Sequence, residues 1–314
     1  MPSRTVTKEI LVEGEAPRLD KYCVGFGVNR SIFALDSTII LVDGRPAKKS
    51  RPLKGGEKIS LTWVEAYFEN ALPEDIPLNV LYEDDAILVI NKPAGMVVHP
   101  AAGNWDHTLV NALLYRYGDE FSTNEDEEED STRPGIVHRL DKETSGTMII
   151  AKTTEAHQNL ARQFKEHSNI KRYIAVSLGK LEKSEGHLDT GIIRSKKDRK
   201  KFTVCPLGQG KEAITDWKVL KSTATYSLLS VTIHTGRTHQ IRVHLASLGH
   251  PVVGDPVYGK ASPGGMLLHA FSLTILHPDS GKPMTFRSPL PERFKSFLSP
   301  THPHATSNGH VRLS

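Results

Sequence analysis

Residues 135–152 read Gly-Ile-Val-His-Arg-Leu-Asp-Lys-Glu-Thr-Ser-Gly-Thr-Met-Ile-Ile-Ala-Lys, a polar segment that leads directly into an apolar one. The apolar run at 148–151 predicts a buried strand. Just before it, Asp141 stands among cationic residues. A carboxylate in this setting is a candidate nucleophile or base, because opposite charges nearby favour its ionised form. The alternative is a structural role, in which Asp141 caps the turn at 144–146.

Residues 236–244 form a second polar cluster, Gly-Arg-Thr-His-Gln-Ile-Arg-Val-His. Thr238 is predicted to cap a helix that ends at Gly249 and turns its apolar residues towards the core. On that helix, His239 and Arg242 would share one face. A helix N-terminus beside Arg and His suits a phosphate or carboxylate group, whereas the alternative is simply a polar helix start.

Two further segments carry charged or aromatic residues in strand-like patterns. Residues 91–100, Asn-Lys-Pro-Ala-Gly-Met-Val-Val-His-Pro, are predicted to form a strand, a turn and a strand. Residues 171–176, Lys-Arg-Tyr-Ile-Ala-Val, favour another strand. Tyr173 in such a strand is ordinarily a core residue.

The charge of the chain is unevenly distributed. Its formal net charge is +4, yet residues 119–130 carry eight acidic residues and no Lys or Arg. The rest of the chain is therefore more basic than the net charge suggests, which indicates a polyanionic partner such as a nucleic acid. A basic protein with no such partner is the alternative. The acidic segment itself has no apolar face and is predicted to be a solvated loop.

Composition and residue spacing disfavour several classes of protein. Two cysteines, Cys23 and Cys205, cannot build a disulfide framework or a four-cysteine zinc site, so a reduced, cytoplasmic protein is expected. His234, His239 and His244 do not share a helical face, which disfavours a zinc site. The sequence shows no run of about 18 apolar residues and no secretory signal, so no membrane association is expected.

Turn signals and composition divide the sequence into a small and a large domain. We predict a small domain at 1–62, a linker at 63–79, a large domain at 80–297 with an acidic insertion at 119–132, and a disordered tail at 298–314. The small domain should hold a helix from Arg18 and another with Asn29 as a candidate cap. In the large domain, helices are predicted at 107–117 and 155–166. Hairpin-like turns join the other elements as often as helices do, which favours a mixed α+β fold.

Together, the polar segments resemble the RluA-type family of RNA pseudouridine synthases. The motif H-R-L-D-x-x-T-S-G-x-x-x-x-A-K is present at 138–152, and G-R-T-H-Q-I-R-V-H is present at 236–244. The Asn-Lys-Pro signature at 91–100 and the continuation of the second motif at 249–259 also fit. Residues 1–62 resemble the S4 RNA-binding domain that precedes many of these enzymes. Within the family, the chain is most similar to the branch that acts on the large ribosomal subunit.

The resemblance implies a fold and a set of site residues. The fold is an α+β pseudouridine synthase fold, with a mixed, mostly antiparallel sheet and a central cleft, and it needs no metal and no organic cofactor. Asp141 is the implied catalytic residue, Arg242 the arginine that pairs with it, and Tyr173 the residue that stacks on uracil. Because a guanidinium group is a planar fork, we predict that Arg242 holds Asp141 through two parallel hydrogen bonds. Arg139 would fill the gap left by the flipped nucleotide. Further RNA contacts are expected from these residues: His138, Lys92, Arg18, Arg30, Lys48 and Lys49. For Lys92, a structural role is the alternative.

The expected activity is therefore the isomerisation of uridine to pseudouridine in structured RNA. The expected partner is 23S ribosomal RNA or an assembling large subunit, bound by a cytoplasmic monomer away from membranes. An RNA-binding ribosome-assembly factor with secondary or lost catalysis is the alternative, although the presence of Asp141, Tyr173 and Arg242 argues against loss. A metal-dependent hydrolase built on the histidines is a third interpretation. The sequence leaves open whether Asp141 attacks C1′ directly or acts by another route.

Overall fold

The computed structural model describes residues 3–28, 30–66, 71–101, 103–118 and 135–298. The chain folds as two units, residues 1–70 and 71–314. The candidate cap Asn29, the acidic insertion and the tail beyond residue 298 lie outside the described residues. Within the described part of the chain, no helix is long and apolar enough to cross a membrane.

The first unit contains a four-stranded antiparallel sheet with the strand order β1-β4-β2-β3. Its elements are β1 (Ser3–Leu11), α1 (Leu19–Val24), a 3-10 helix (Arg30–Ala34), β2 (Ile39–Val42), β3 (Arg45–Pro46) and β4 (Lys58–Ala66). Leu19 and Cys23 from α1 pack against Ile59 and Leu61 from β4 in one apolar core. This small core is closed by residues of the first unit alone.

The predicted boundaries around this unit are wrong in two places. The small domain does not end at residue 62, because β4 continues to Ala66 and pairs with β1 along its whole length. The second half of the predicted linker belongs to the second unit. There the Glu74 amide donates a hydrogen bond to the Asn111 carbonyl at 3.0 Å. Residues 71–79 therefore form a packed lead-in to the second unit rather than a free linker.

The second unit is built on a ten-stranded sheet. Its strands are β5 (Val80–Glu83), β6 (Ile87–Lys92), β7 (Ser145–Ala151), β8 (Ile170–Leu178), β9 (Glu185–Arg194), β10 (Phe202–Cys205), β11 (Lys211–Ser222), β12 (Tyr226–Ile233), β13 (Leu268–Leu276) and β14 (Pro283–Arg287). Their order is β10-β9-β11-β12-β8-β13-β7-β6-β5, and β14 pairs with β13. β7 and β13 run parallel, while their neighbours pair antiparallel. The predicted mixed, mostly antiparallel α+β fold is confirmed.

Helices lie beside this sheet and at its end: α2 (Leu109–Tyr117), α3 (Thr154–Lys165), α4 (Gln240–Ser247) and α5 (Lys295–Leu298), the last preceded by a 3-10 turn (Glu292–Phe294). Thr108 caps α2 by accepting a hydrogen bond from the Asn111 amide, and the Asn111 side chain completes a capping box. Thr153 caps α3 by accepting from the Ala156 amide at 3.1 Å. These two helices are confirmed close to their predicted bounds.

The predicted Thr238 cap of α4 is wrong, because the helix begins at Gln240. His239 precedes the helix with a φ of 59°, a left-handed conformation that cannot continue a right-handed helix. The Gln240 side chain holds this turn, since its oxygen accepts hydrogen bonds from the Thr235 hydroxyl at 2.8 Å and the Arg237 amide at 3.0 Å. Gln240 Nε2 also donates to the Ile214 carbonyl and the Thr215 hydroxyl at 2.9 Å each, so the Gln240 side chain rather than a Thr238 cap fixes where α4 starts.

β6 and β7 are the two strands of this sheet in which almost every side chain is buried. Neighbouring residues such as Ile87 and Leu88 belong to different apolar clusters on the two faces of the sheet. Burial on both faces explains why these strands read as continuous apolar runs. Gly146 allows β7 to approach β13, since a Cβ at this position would lie 2.3 Å from the Ala270 oxygen. The loop that carries Asp141 ends at this close approach.

Candidate active site

A cavity of about 470 Å³ opens between the loop that precedes β7, strand β8 and the start of α4. Of the predicted site residues, His138, Arg139, Asp141, Tyr173 and Arg242 line it. The three sequence segments that carry these residues are far apart along the chain, and the sheet brings them to one place.

Asp141 and Arg242 form the contact that the two motifs predict. Arg242 Nη1 donates a hydrogen bond to Asp141 Oδ2 at 2.9 Å, which confirms the predicted contact. The Arg242 side chain is 3% exposed, whereas the Asp141 side chain keeps 19% of its surface. The buried arginine therefore orients the Asp141 carboxylate, and part of that carboxylate stays open to the cavity.

Asp255, a buried carboxylate without a predicted role, holds the other side of Arg242. Arg242 Nε and Nη2 donate to the two Asp255 oxygens at 2.7 and 2.8 Å. The same carboxylate accepts the amide protons of Val257 and Tyr258 at 2.8 and 3.1 Å. The prediction that Arg242 holds Asp141 through two parallel hydrogen bonds is therefore wrong. The guanidinium fork binds Asp255, and Asp141 receives a single N–H.

Charge pairing fixes the protonation of this buried group. Burial opposes a charged Asp255, but its hydrogen bonds to Arg242 and to the backbone hold the pKa of Asp255 below its usual value. Burial also opposes the charge on Arg242, and the two carboxylates outweigh it and raise the pKa of Arg242. Arg242 is thus a permanent cation whose position is set before any substrate binds.

His138 holds the loop of Asp141 against the sheet. Its Nε2 accepts a hydrogen bond from the Ile149 amide at 3.0 Å, so this nitrogen carries no proton. The ring stacks on Phe164 with 4.6 Å between the centroids. Burial and the charge of Lys171 lower the pKa of His138 to about 3, which keeps the ring neutral. The structure gives His138 a positioning role, and its RNA contact stays a prediction.

Lys92 is fully buried beneath the same loop. Its Nζ donates to the carbonyls of Pro93 and Met96 at 2.8 Å each and to the carbonyl of Lys142 at 3.3 Å. Burial lowers the pKa of Lys92 to about 7, while nearby carboxylates act against that fall. The predicted RNA contact of Lys92 is wrong, because its ammonium group already serves these carbonyls and has no surface. Lys92 instead ties the turn after β6 to the residue that follows Asp141.

Tyr173 lies on β8 and forms part of the cavity wall. It is 8% exposed, and burial together with the Asp141 charge raises the pKa of Tyr173 above its usual value, so the phenol stays protonated. A fixed aromatic ring beside a carboxylate suits stacking against a planar base. Lys171 stands two residues earlier on the same face of the strand and also lines the cavity.

A second group without a predicted role lies beside Arg242. The Phe202 amide donates to Tyr258 Oη at 2.8 Å, and the same oxygen lies 3.0 Å from His239 Nδ1. Because Tyr258 Oη accepts one hydrogen bond, its own proton can be directed at Nδ1, which leaves the His239 proton on Nε2. The Tyr258 ring also faces the guanidinium group, with 5.3 Å between Arg242 Cζ and the ring centroid. His239 lines the cavity and is a candidate substrate contact.

The motif histidines do not gather around a common point. His234 Nε2 lies 2.6 Å from Asp216, and His244 Nδ1 lies 2.9 Å from Thr215, whereas His239 faces the cavity. Among the described residues, no group of three or more His, Cys, Asp and Glu side chains is arranged to hold a metal ion. The geometry gives the metal-dependent hydrolase interpretation no support.

The cations predicted to bind RNA in the first unit differ in how far they are already engaged. Arg18 donates from Nε and Nη2 to Asp20 at 2.8 and 3.0 Å, and Arg30 Nη2 lies 3.3 Å from the same carboxylate. Lys49 donates to a main-chain carbonyl at 3.2 Å, and Lys48 is exposed. All four remain at least partly exposed, and their RNA contacts stay predictions.

The cavity residues lie in the part of the chain that matches a known family. A family model described as RNA pseudouridylate synthase matches residues 86–247. The chain belongs to this family. The matched span includes Asp141, Tyr173 and Arg242, whereas Asp255 and the first unit lie outside it. The protein is therefore a pseudouridine synthase, an isomerase that acts on RNA.

Individual relatives agree with this assignment. A protein of Aquifex aeolicus (strain VF5) named "Uncharacterized RNA pseudouridine synthase" is 44% identical over 315 residues, which cover 95% of this chain and 98% of that protein. "Ribosomal large subunit pseudouridine synthase D" of Zymomonas mobilis is 45% identical over 231 residues, 70% of this chain and 71% of that protein. The solved structure of "Human RNA Pseudouridylate Synthase Domain Containing 1" superposes with a TM-score of 0.54 at 31% identity, covering 69% of this chain and 84% of that chain. The pseudouridine synthase fold is thereby confirmed.

Proposed function

We propose that this pseudouridine synthase modifies uridines of 23S ribosomal RNA, with Asp141 as its catalytic carboxylate. The observation that carries the site is the continuous chain of contacts from Asp141 through Arg242 to Asp255 at the cavity wall. The ribosomal target is supported by the similarity to the large-subunit synthase D of Zymomonas mobilis. We further propose that the enzyme works in the cytoplasm as a monomer.

The isomerisation breaks one bond and forms another within a single nucleotide. The bond between uracil N1 and ribose C1′ is cleaved, the base turns, and C5 bonds to C1′. C5 gives up its proton and N1 gains one, so the product is an isomer of the substrate. Asp141 is the carboxylate that lines the cavity, and we assign it the step at the sugar. Direct attack at C1′ and an alternative route both need this carboxylate held in one orientation, which Arg242 provides.

The detached base must stay in the cavity while it turns. Tyr173 supplies a buried ring against which uracil can stack during that rotation. Arg139 is exposed at the rim of the same cavity, where it can enter the space that the flipped nucleotide leaves in the RNA. The roles of Asp141, Tyr173 and Arg139 in this scheme follow from their family resemblance and fit their positions here.

The first unit would add RNA affinity without taking part in the chemistry. We propose that it is an S4-like RNA-binding module whose cations contact phosphates. These cations are two arginines, Arg18 and Arg30, and two adjacent lysines, Lys48 and Lys49. Such contacts position an RNA without reading its sequence.

The proposed target is tested by mapping pseudouridines in 23S ribosomal RNA from cells that lack the gene. Specific pseudouridines should be missing, should return with the wild-type gene and should stay missing with Asp141→Asn. An unchanged map in the deletion strain would contradict the ribosomal target. If Asp141→Asn corrected a defect in subunit assembly without restoring any pseudouridine, the assembly-factor interpretation would gain support instead.

A further inference from the structure

Lys171 is a buried cation in the cavity wall, and no described carboxylate is paired with it. Its side chain is 7% exposed, and it lines the cavity beside Tyr173. Its Nζ lies 5.8 Å from the centroid of the Phe164 ring and 4.0 Å from where a Cβ on Gly236 would stand. Among the described residues, the charge that acts on it most strongly is that of Arg237, which is repulsive.

Apart from Asp141, the titratable groups that line the cavity around Lys171 are basic residues and Tyr173. The Glu212 carboxylate acts on His167 but is not among the lining residues. Arg237 lines the cavity on one side, and Lys165 and His167 line it on another. His138, behind the Phe164 ring, is held neutral by the hydrogen bond that its Nε2 accepts. Burial and the Arg237 charge lower the pKa of Lys171 to about 8. A buried charge without a partner is costly, so this arrangement indicates a site that a bound anion completes.

The start of α4 adds to the same preference for an anion. Residues 236–242 line the cavity, and they include the first turn of the helix. Helix N-termini favour negative groups because their first amide protons lack partners within the helix. Asp141 is the one carboxylate among the residues that line the cavity, and Arg242 already pairs with it. Lys171 and Arg237, at the other end of the cavity, therefore remain able to bind an anionic ligand.

We propose that Lys171, Arg237 and the first turn of α4 form a binding subsite for one backbone phosphate of the RNA, next to the target uridine. The proposal rests on the placement of that uridine between Asp141 and Tyr173. Residues two apart on a strand are separated by about 6.6 Å. A phosphate bound at Lys171 would therefore lie at about that distance from a base stacked on Tyr173. The phosphate would supply the negative charge that no described carboxylate supplies to Lys171.

Lys171→Met tests the subsite, because it keeps an unbranched side chain, one heavy atom shorter, and removes the ammonium group with its charge and its N–H donors. Affinity for an RNA hairpin that the wild-type enzyme binds should fall about 10-fold or more, as expected when a hydrogen bond to a charged group is lost. The slope of log affinity against log salt should fall by about 0.7–0.9, the contribution of one phosphate. The melting temperature should be unchanged or higher, since an unpaired buried charge is removed.

Lys92→Met is the matched control, since Lys92 is also buried but donates to carbonyls. It should lower the melting temperature and leave the salt slope unchanged. A hairpin with one uncharged methylphosphonate linkage, moved along the positions that flank the target uridine, adds a second probe. At one position it should weaken wild-type binding and have no further effect on Lys171→Met.

Two results would overturn the subsite. One is a Lys171→Met enzyme with wild-type affinity and salt slope, and the other is a lowered melting temperature without a change in affinity, which would mark Lys171 as structural. Both readouts compare RNA binding and stability between two proteins on one hairpin. They therefore remain separate from the proposed ribosomal target, which depends on which uridine is modified.

Discussion

Arg242 and Lys171 are two buried cations in the wall of one cavity, and they are balanced in opposite ways. Arg242 meets two carboxylates, Asp141 and Asp255. Lys171 meets none among the described residues, and its neighbour Arg237 repels it. The charge of Arg242 is balanced in the free enzyme, whereas we infer that the charge of Lys171 is balanced only when a ligand binds.

This difference separates the chemical end of the cavity from its binding end. A catalytic carboxylate works best when its partner is already in place, because no reorganisation is then needed during the reaction. A binding cation works best when the ligand supplies the missing charge, because a partner within the protein would compete with it. We infer that substitutions near Arg242 reduce turnover, while substitutions near Lys171 reduce affinity.

The largest effect is expected from Asp141→Asn, which keeps the size of the side chain and removes its charge. Pseudouridine formation should fall to background, while RNA affinity should persist because phosphate contacts supply most of it. Release of pseudouridine in a steady-state assay, together with a filter-binding isotherm, measures both. Turnover close to that of wild type would remove Asp141 from the mechanism.

Arg242→Lys should produce the next largest effect. A lysine has no planar fork, so it cannot bind Asp255 through two hydrogen bonds and Asp141 through a third. Turnover should fall on the order of 10²-fold, as expected when a catalytic group loses its alignment. RNA affinity should change little, and a salt slope equal to that of wild type is the control. A large loss of RNA affinity with normal turnover would contradict the assignment of Arg242 to the chemical end of the cavity.

Asp255→Asn should reduce turnover less but stability more. The substitution breaks a buried ion pair while Asp141 continues to hold one N–H of Arg242. Loss of one partner from a buried pair lowers the free energy of unfolding by about 3 kcal/mol. Turnover should fall about 10-fold at a temperature where the variant stays folded. Denaturant unfolding and single-turnover kinetics on the same sample separate the two effects, and unchanged stability would contradict the role given to Asp255.

The smallest effect is expected from a similar group in the first unit. Asp20 is buried like Asp255, but its partners Arg18 and Arg30 keep 38% and 60% of their side-chain surface. Asp20→Asn should therefore lower the free energy of unfolding by only about 1 kcal/mol, because solvent screens exposed partners. Hydrogen exchange of amides in the first unit measures this change. A loss as large as that for Asp255→Asn would show that exposure of the arginine does not matter.

The same residue gives a pH dependence with a definite sign. The Arg18 hydrogen bond lowers the pKa of Asp20 to about 2, below its ordinary value near 4. Its stabilisation is present above the ordinary value and is lost as the pH falls through about 2. The difference in stability between wild type and Asp20→Asn should therefore shrink between pH 5 and pH 2. A difference that stayed constant over this interval would contradict the role of the charge.

The contact between Asp141 and Arg242 could be predicted because each residue stands in a long contiguous motif. The contact of Asp255 with Arg242 could not, because the fit of residues 249–259 to the continued motif does not show which side chain this acid meets. The available signal was Gly254, which has a φ of 78° and whose added Cβ would lie 2.0 Å from the Gly265 oxygen. A glycine that the backbone requires, directly before an acid, marks a constrained turn rather than a free loop.

The contacts of the buried lysines could not be predicted from the sequence for a related reason. Lys92 and Lys171 both stand in or beside strands, and their neighbours do not show whether an ammonium group meets carbonyls, a carboxylate or nothing. Strands β9, β10, β13 and β14 are not predicted. The partners β7 and β8 of β13 lie far earlier in the chain, and strand preference depends on such partners. β10 and β14 are short and pair with the strands that precede them. The buried runs of β6 and β7 were evident, since burial on both faces leaves a continuous apolar pattern.

The most direct test is a crystal structure of the Asp141→Asn enzyme with a bound hairpin RNA that contains the target uridine. Ribose C1′ of the flipped uridine should lie about 3–3.5 Å from the side chain at position 141, a distance suited to reaction. In the same structure, one phosphate oxygen should lie about 2.7–3.2 Å from Lys171 Nζ. A flipped uridine whose C1′ faces away from position 141, with every phosphate more than about 6 Å from Lys171, would contradict the division of the cavity.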